Sequence, residues 1–531
     1  MNKEKQYYIL IFLCCIPLFF LHLEVMPVTI MEARNFISAR EMLTDGNWIL
    51  TTMNDVSRYQ KPPLPTWFSA ISASIFGIKN EIAYRLPVSL MALFTVFSFF
   101  RLIKYITANQ RLAFISALVL ATSVYIIVIQ REAPWDIYTH GFIVASVLYL
   151  YKLFTEDSKK LRNGFITGIF LGLSILGKGP IGLYALLLPF LIAFGVVFKY
   201  KKIKTRILPL LVFIIVGLLL GGWWYAYVRW VDPEAFLKIA ERETTNWSNY
   251  NVKPFYYYWN FFIQSGIWTV FSIIGLIYPY LKNKVSHKKA YLFSLIWTLA
   301  VLVLLSVIPE KKTRYLVPIL IPLALSTAFY IEYLIINFKS IKHKSEKIAT
   351  YFSFGLIGCI GLVAGGLGYF LLKNKLLPES LPYVIILGIS LFALGIVIFI
   401  NLKKKNIQTA FLCIIFFMMS VSGLGLPIAK SFNTNTTYKN ISELNSKLTD
   451  KPIYYFGDIA PEVLWYYEKI IPAFNNQSNC YVLVNKIEEN IFLQQHKQAS
   501  STITTFDLNE NVEPNEKGHK DRLVAVLYQI H

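Results

Sequence analysis

The chain has 531 residues, of which 55% are hydrophobic and 16% charged, and it carries a net charge of +21. Its mean hydropathy of +0.49 is more apolar than a soluble domain sustains, which excludes a soluble enzyme and points to a membrane protein with many spans. The positive excess does not indicate nucleic acid, because Lys and Arg stand in short clusters between apolar runs, the pattern of loops held on the cytoplasmic side.

In chain order, Met1–Gln6 form a basic tip before the apolar run Tyr7–Leu23, and no small-residue cleavage site follows, so the run reads as an uncleaved first span. With roughly 20 apolar residues per crossing, spans are expected near 7–27, 82–103, 112–130, 137–155, 163–177, 180–198, 207–229, 259–281, 290–308, 315–337, 349–372, 381–402 and 407–428, about 13 in all. The pair at 163–198 is divided by Gly177-Lys178-Gly179-Pro180, which interrupts any continuous helix. With these spans, the basic clusters Lys3/Lys5, Arg101/Lys104/Arg111, Lys159/Lys160/Arg162, Lys199–Arg206, Lys282–Lys289, Lys339–Lys347 and Lys403–Lys405 all fall on one side. That side is cytoplasmic, with the N-terminus inside and the tail after Ala429 outside.

Residues 28–81 form a long first outer loop, in which Met31–Leu43 and Pro65–Phe76 read as interfacial helices anchored by Trp48, Tyr59 and Trp67. Residues 429–531 are polar. Their strand-like runs Ile453–Phe456, Tyr481–Val484 and Leu523–Tyr528 alternate with helical runs Pro461–Lys469 and Glu488–His496, which suggests a small α/β domain. The expected fold is therefore mainly α and polytopic, with a membrane domain over 1–428 and an extracytoplasmic α/β domain over 429–531. Four of the five cysteines (Cys14, Cys15, Cys359 and Cys413) lie in apolar runs, and with no CxxC pair neither disulfides nor structural zinc are implied.

Topology puts a set of charged residues on the outer face: Glu32, Arg34, Arg40, Glu41, Asp55, Arg58 and Lys61, then Arg131, Glu132 and Asp136, then Lys178, then Glu241, Arg242 and Glu243, then Glu310, Lys311, Lys312 and Arg314. Ionisable groups at a membrane boundary are costly and default to functional hypotheses. Plainer readings stand beside them. Arg34, Arg40 and Glu41 also read as a solvated helix face, Lys311 and Lys312 as snorkelling lysines, Glu132 as a rim residue and Asp136 as a helix cap after Pro134-Trp135. Lys178, between two glycines in apolar surroundings, needs an anionic partner, and Pro62-Pro63 stiffen the backbone that aims Lys61. Cations suit a phosphate that leaves with negative charge, and a carboxylate suits a nucleophile that must lose a proton. A lipid-phosphate-activated substrate entering from the bilayer meets both needs.

Several motifs carry a family resemblance. Met31-Glu32-Ala33-Arg34-Asn35, Ala39-Arg40-Glu41-Met42-Leu43, Gly46-Asn47-Trp48 and Tyr59-Gln60-Lys61-Pro62-Pro63-Leu64-Pro65-Thr66-Trp67 resemble the first outer loop of C-type membrane glycosyltransferases. The likeness is to bacterial relatives of the lipid A aminoarabinose transferase and of protein O-mannosyltransferases. Ile75-Phe76-Gly77, Arg85-Leu86-Pro87, Gly177-Lys178-Gly179-Pro180 and Pro309-Glu310-Lys311-Lys312-Thr313-Arg314-Tyr315 continue it. The resemblance implies transfer of a sugar from a polyprenyl-phosphate carrier to a lipid, glycan or protein outside the cytoplasm, usually with inversion, by a multi-pass protein of the bacterial inner membrane. It implies Glu32 or Asp136 as the catalytic carboxylate and Lys61 at the carrier phosphate, with Arg34, Arg58, Tyr59, Lys178, Arg242, Lys312, Arg314 and Tyr315 as further substrate-binding residues. The sequence shows no required cofactor, while a divalent metal is compatible with it; no nucleic-acid partner is expected. Two departures stand out: Met31 occupies a position where the family often has Asp, and Glu241-Arg242-Glu243 lies where a His-containing motif is often found. The alternative function is a transporter or flippase of a lipid-linked or anionic substrate.

Overall fold

The computed structural model describes residues 3–132, 134–373, 376–432, 435–444, 451–496 and 500–530. Among them, eight helices are long and apolar enough to cross a membrane: Glu81–Thr107, Trp135–Thr155, Ile203–Val231, Lys288–Val307, Thr313–Asn337, Lys344–Leu372, Pro378–Lys403 and Ile407–Phe432. Gln110–Ala121 and Val124–Arg131, bent by 53°, make a ninth if they are one span. Shorter helical segments occupy other expected intervals. Lys3–Cys15 runs into a π-helical turn at Ile16–Phe20, where Pro17 offers no N–H to an α-helical ladder, and Lys160–Lys178 precedes Leu183–Val197.

The interval 259–281 does not form the single span expected. It is broken into Phe261–Trp268, Thr269–Gly275 and Tyr278–Leu281. The break has a packing cause. Gly266 has φ +65, and a Cβ there would lie 2.2 Å from Val124 Cγ2, so the backbone comes close to the bend in the neighbouring pair of helices. Trp268 Nε1 donates to Thr122 Oγ1 at 2.9 Å across the same contact.

The first outer loop folds as helix Ile30–Thr44, a two-stranded hairpin (Thr52–Met53 with Val56–Ser57) and helix Leu64–Phe76. Thr29 caps the first helix in a reciprocal capping box with Glu32. This helix does not lie on an open surface. Residues Glu32, Ala33 and Asn35–Met42 are buried, because helix Pro461–Tyr467 of the tail domain covers it. One apolar cluster runs from Phe36, Ile37 and Met42 into Val463, Leu464 and Trp465. Helix Leu64–Phe76 instead leaves Ile71, Ile75 and Phe76 exposed, an apolar edge suited to a lipid surface.

The tail domain is a four-stranded sheet in the order Ile453–Phe456, Cys480–Asn485, Val524–Ile530, Ser500–Asp507. The first pair is parallel and the others antiparallel. Ser500–Asp507 is an edge strand that the sequence reading missed. Its Ser-Ser-Thr-Ile-Thr-Thr run is β-branched but too polar to mark a buried strand.

Arg40 joins the two parts. It donates to the carbonyls of Trp465 (3.0 Å) and Leu464 (3.1 Å) and lies over the Trp465 ring at 5.3 Å. The solvated-face reading of Arg40 is thus replaced by a buried brace. Arg40→Ala is expected to cost about 2–4 kcal/mol, because two charged hydrogen bonds and the contact over the Trp465 ring are lost from a buried position. Thermal unfolding in detergent, with the rate of proteolytic release of the tail domain, measures it.

Candidate active site

The hairpin aims the first-loop cations. Asn54 and Asp55 take positive φ (57° and 60°), giving the tight turn, and Glu41 holds it by accepting from Thr52 Oγ1 (2.5 Å) and Asn54 N (2.6 Å). Thr51 then pairs with the backbone of Arg58 on both sides, Arg58 N donating at 2.8 Å and Thr51 Oγ1 donating to Arg58 O at 2.6 Å. Arg58 is 8% exposed and turns inward, donating to Ser38 Oγ (3.3 Å) and lying 5.4 Å over the Trp135 ring. Beyond it, Lys61 meets Glu243 of helix Pro233–Asn249 at 3.1 Å.

A second pair comes from two packed helices, Pro134–Thr155 and Lys160–Lys178. They approach closely because Gly177 has no Cβ, which would stand 3.0 Å from Thr139 Oγ1, and Ser174 Oγ donates to Thr139 O at 2.9 Å. Lys178, the last residue of its helix, thereby pairs with Asp136 Oδ1, and both side chains are buried. Gly179, at φ +86, then redirects the chain. Tyr315 lies between cations, with Lys178 5.5 Å and Lys312 5.7 Å from its ring centre.

These pieces form one cationic cluster. Lys61 and Arg314 lie within electrostatic range of Lys178, Arg34 within range of Arg58, and Arg314 within range of Arg34. Among the described residues, no carboxylate comes within ion-pair distance of Arg34, Arg58 or Arg314. Burial, and then Arg34, push the Arg58 pKa down to about 9, and burial also lowers that of Arg34. Guanidinium remains protonated at neutral pH, so the cost of this buried charge stands in full until an anion offsets it. Unpartnered buried polar atoms occur on residues of this cluster and beside it: Gln60 Oε1, Trp135 Nε1, Asp136 Oδ2, His140 Nδ1 and Arg314 Nε. Such orphans are rare in a packed interior and concentrate where a ligand is to bind.

Other expected site residues are placed differently. Both oxygens of Glu32 are occupied by Arg85, Nε at 2.8 Å and Nη2 at 3.3 Å, and Oε2 also accepts from Thr29 N at 3.0 Å. Arg85 is held in turn by Glu81 (3.4 Å) and the carbonyl of Leu23. Tyr59 donates to Asp232 Oδ2 at 2.8 Å, away from the cations. Arg242 is exposed, and Glu243, about 100° further round the helix, is the residue that faces the site. Lys312 pairs with Glu310 at 2.5 Å, and Tyr315 OH donates to the same carboxylate at 3.1 Å. In the sequence alone, Glu243 and Glu310 stand in the outer-face set of charges without an assigned role, and Trp135 has none. The Glu241-Arg242-Glu243 triplet was the visible signal for the first, but a triplet does not say which side chain points inward. Among the described residues, no three His, Cys, Asp or Glu side chains converge in a way that would hold a metal ion.

Comparison with known proteins agrees with the first-loop motifs. The family model described as dolichyl-phosphate-mannose-protein mannosyltransferase matches residues 60–224. An undecaprenyl phosphate-alpha-4-amino-4-deoxy-L-arabinose arabinosyl transferase of Proteus mirabilis is 26% identical over 62% of this chain and 60% of its own length. The corresponding Serratia proteamaculans protein is 25% identical over 71% of this chain and 67% of its own length. The crystal structure of ArnT from Cupriavidus metallidurans bound to undecaprenyl phosphate superposes with a TM-score of 0.68 at 16% identity, covering 99% of this chain and 97% of that one. The chain therefore resembles the bacterial aminoarabinose transferase group in sequence and shares the ArnT fold throughout.

The geometry separates buried, fully paired charges from partly exposed ones. Glu32→Gln is expected to destabilise the fold by about 2–4 kcal/mol, since a buried guanidinium loses its bidentate carboxylate and keeps only Glu81 as a counter-charge. Arg85→Met added to it should recover much of that loss. Lys61→Ala, breaking a partly exposed pair, should cost no more than about 1 kcal/mol. Thermal or denaturant unfolding of the purified variants decides it.

Proposed function

We propose that this membrane enzyme is a glycosyltransferase that moves a sugar from a polyprenyl-phosphate carrier to an acceptor outside the cytoplasm. The observation that carries the reading is the cluster of buried Arg58 with the partly buried Arg34 and Arg314, which among the described residues have no carboxylate within ion-pair distance and stand beside Lys61 and Lys178. A phosphate supplies the charge these groups lack. The relatives' names, which pair undecaprenyl phosphate with an amino sugar, support the same donor class.

The reading places the membrane domain at 1–428 with about 13 crossings, the N-terminus in the cytoplasm and residues 429–531 outside a bacterial inner membrane. Helix Leu64–Phe76 lies along the lipid surface, where its exposed Ile71, Ile75 and Phe76 belong. The acceptor is a lipid such as lipid A, another glycan or a protein.

The chemistry follows from charge. The acceptor attacks the anomeric carbon from the face opposite the carrier, inverting it, and the electron pair of the breaking C–O bond passes to the phosphate. Lys61, Lys178 and the arginines stabilise the charge that develops there, already in place before the bond breaks. Lys312 and Tyr315, joined through Glu310, border the phosphate side. Asp136 holds Lys178 with one oxygen and offers the other, which has no partner, to a hydrogen on the acceptor. Glu32 supports the loop through Arg85 instead of meeting substrate.

Lys61→Ala and Asp136→Asn are each expected to lower transfer at least about 100-fold. The assay is incubation of membranes with a labelled polyprenyl-phosphate sugar, with folding of each variant checked by thermal unfolding. Full activity in both folded variants would sink the reading. Mass spectrometry of lipids and surface glycans from cells lacking the gene should show one acceptor missing its sugar.

A further inference from the structure

In the transfer reading Asp136 orients the acceptor's hydrogen from a buried position, and the proton itself needs a carboxylate open to water. Glu32 and Asp136 are each closed in, their side chains 3% exposed and each already held by a cation. Glu310 is 9% exposed and shared by Lys312 and Tyr315. Residue 31 is a methionine. Glu243 alone among these carboxylates is open, at 39% exposure, and it touches the cationic cluster through Lys61. It arrives from a separate element, helix Pro233–Asn249, whose start is tied to the first loop. Asp232 caps the helix by accepting from Ala235 N (3.3 Å) and also accepts from Tyr59 OH (2.8 Å) and Ser57 Oγ (3.3 Å).

We propose that Glu243 is the proton acceptor of the transfer, masked by Lys61 in the empty enzyme and freed when the carrier phosphate takes its place on that lysine. The proposal rests on the transfer reading above. A dianionic or monoanionic phosphate competes directly with a carboxylate for an ammonium group, since both are oxygen anions and the phosphate is also drawn by Arg58 and Lys178. Once displaced, Glu243 remains at the rim of the same site with an unoccupied carboxylate. The acceptor's hydroxyl or amine forms its bond to the anomeric carbon, the carbon–oxygen bond to the carrier breaks with its electrons going to phosphate, and the acceptor's proton passes to Glu243 and from there to water. No redox partner is required. The masked state also keeps a bare carboxylate from repelling the incoming donor before the cations have engaged it.

The test uses the full-length protein in detergent micelles with a panel of synthetic polyprenyl-phosphate pentoses and hexoses and a total membrane-lipid acceptor fraction. Glu243→Gln should unfold at the wild-type temperature, because the pair it breaks is partly exposed. It should bind polyprenyl phosphate as tightly as wild type or more tightly, and its transfer rate should fall about 10²–10³-fold. Sodium azide, a nucleophile with no proton to lose, should restore turnover in Glu243→Gln as a glycosyl azide but should not restore Lys61→Ala. Wild-type transfer rates in Glu243→Gln would overturn the assignment. A loss that azide does not restore would overturn it too, leaving Glu243 as a support for Lys61. No transfer by the wild-type enzyme from any sugar of the panel would overturn the transfer reading itself, and this role of Glu243 with it.

Discussion

The bidentate pair between Glu32 and Arg85 sets the position of everything above the bundle. Arg85 belongs to the long helix Glu81–Thr107, and Glu32 to the first turn of helix Ile30–Thr44. Burying two charges is tolerable only when both are satisfied. Here the remaining valences are filled by Thr29, Glu81 and the carbonyl of Leu23. The helix so fixed can present Arg34 towards the cluster, Arg40 towards the tail domain and Glu41 towards the hairpin. One ion pair in the scaffold thus determines where three further charges point.

The outer end of the bundle then divides its charges into two kinds. Some are paired and closed, such as Glu32 with Arg85 and Asp136 with Lys178. Others, Arg34, Arg58 and Arg314, are held near one another with no carboxylate at ion-pair distance among the described residues. Like charges in a low-dielectric interior repel strongly, so this arrangement is costly in the empty protein. It persists because neutral contacts fix it: Ser38 and the Trp135 ring at Arg58, and the Tyr315 ring at Arg314. On the proposed reading, that stored positive charge is in place before a phosphate leaves, where it needs no reorganisation to be felt.

Much of this was legible in the sequence, for identifiable reasons. Apolar runs and one-sided Lys/Arg clusters are long-range patterns, so the spanning helices and both loop helices emerged close to their observed bounds. Lys61 stood out because Pro62-Pro63 fix the backbone beside it, and Lys178 because a lone lysine in apolar surroundings needs an anionic partner, which Asp136 supplies. The failures are of another kind. The break at Gly266 depends on Val124, more than a hundred residues away, and no local pattern records that contact. Ser500–Asp507 is held by pairing to Val524–Ile530, with little apolar alternation of its own. Glu32 read as reactive because its partner, Arg85, is far along the chain, and burial by a partner is invisible in a linear sequence. Arg242 and Glu243 are adjacent, so composition gave no basis for choosing between them. Only the rotation of the helix makes that choice.

Tyr59 shows how placement away from the chemistry still bears on it. It was expected at the substrate, yet its hydroxyl ends on Asp232, which caps the helix that carries Glu243 about three turns later. Tyr59 is also two residues from Lys61. A single carboxylate therefore links the strand that delivers the lysine to the helix that delivers its anionic partner, so that the two sides of the Lys61–Glu243 contact share one anchor. The first loop carries Met31 beside Glu32, whose carboxylate is spent on Arg85. This anchor brings a carboxylate to Lys61 from elsewhere in the chain, and the distance between the two is set by the fold instead of by sequence neighbours.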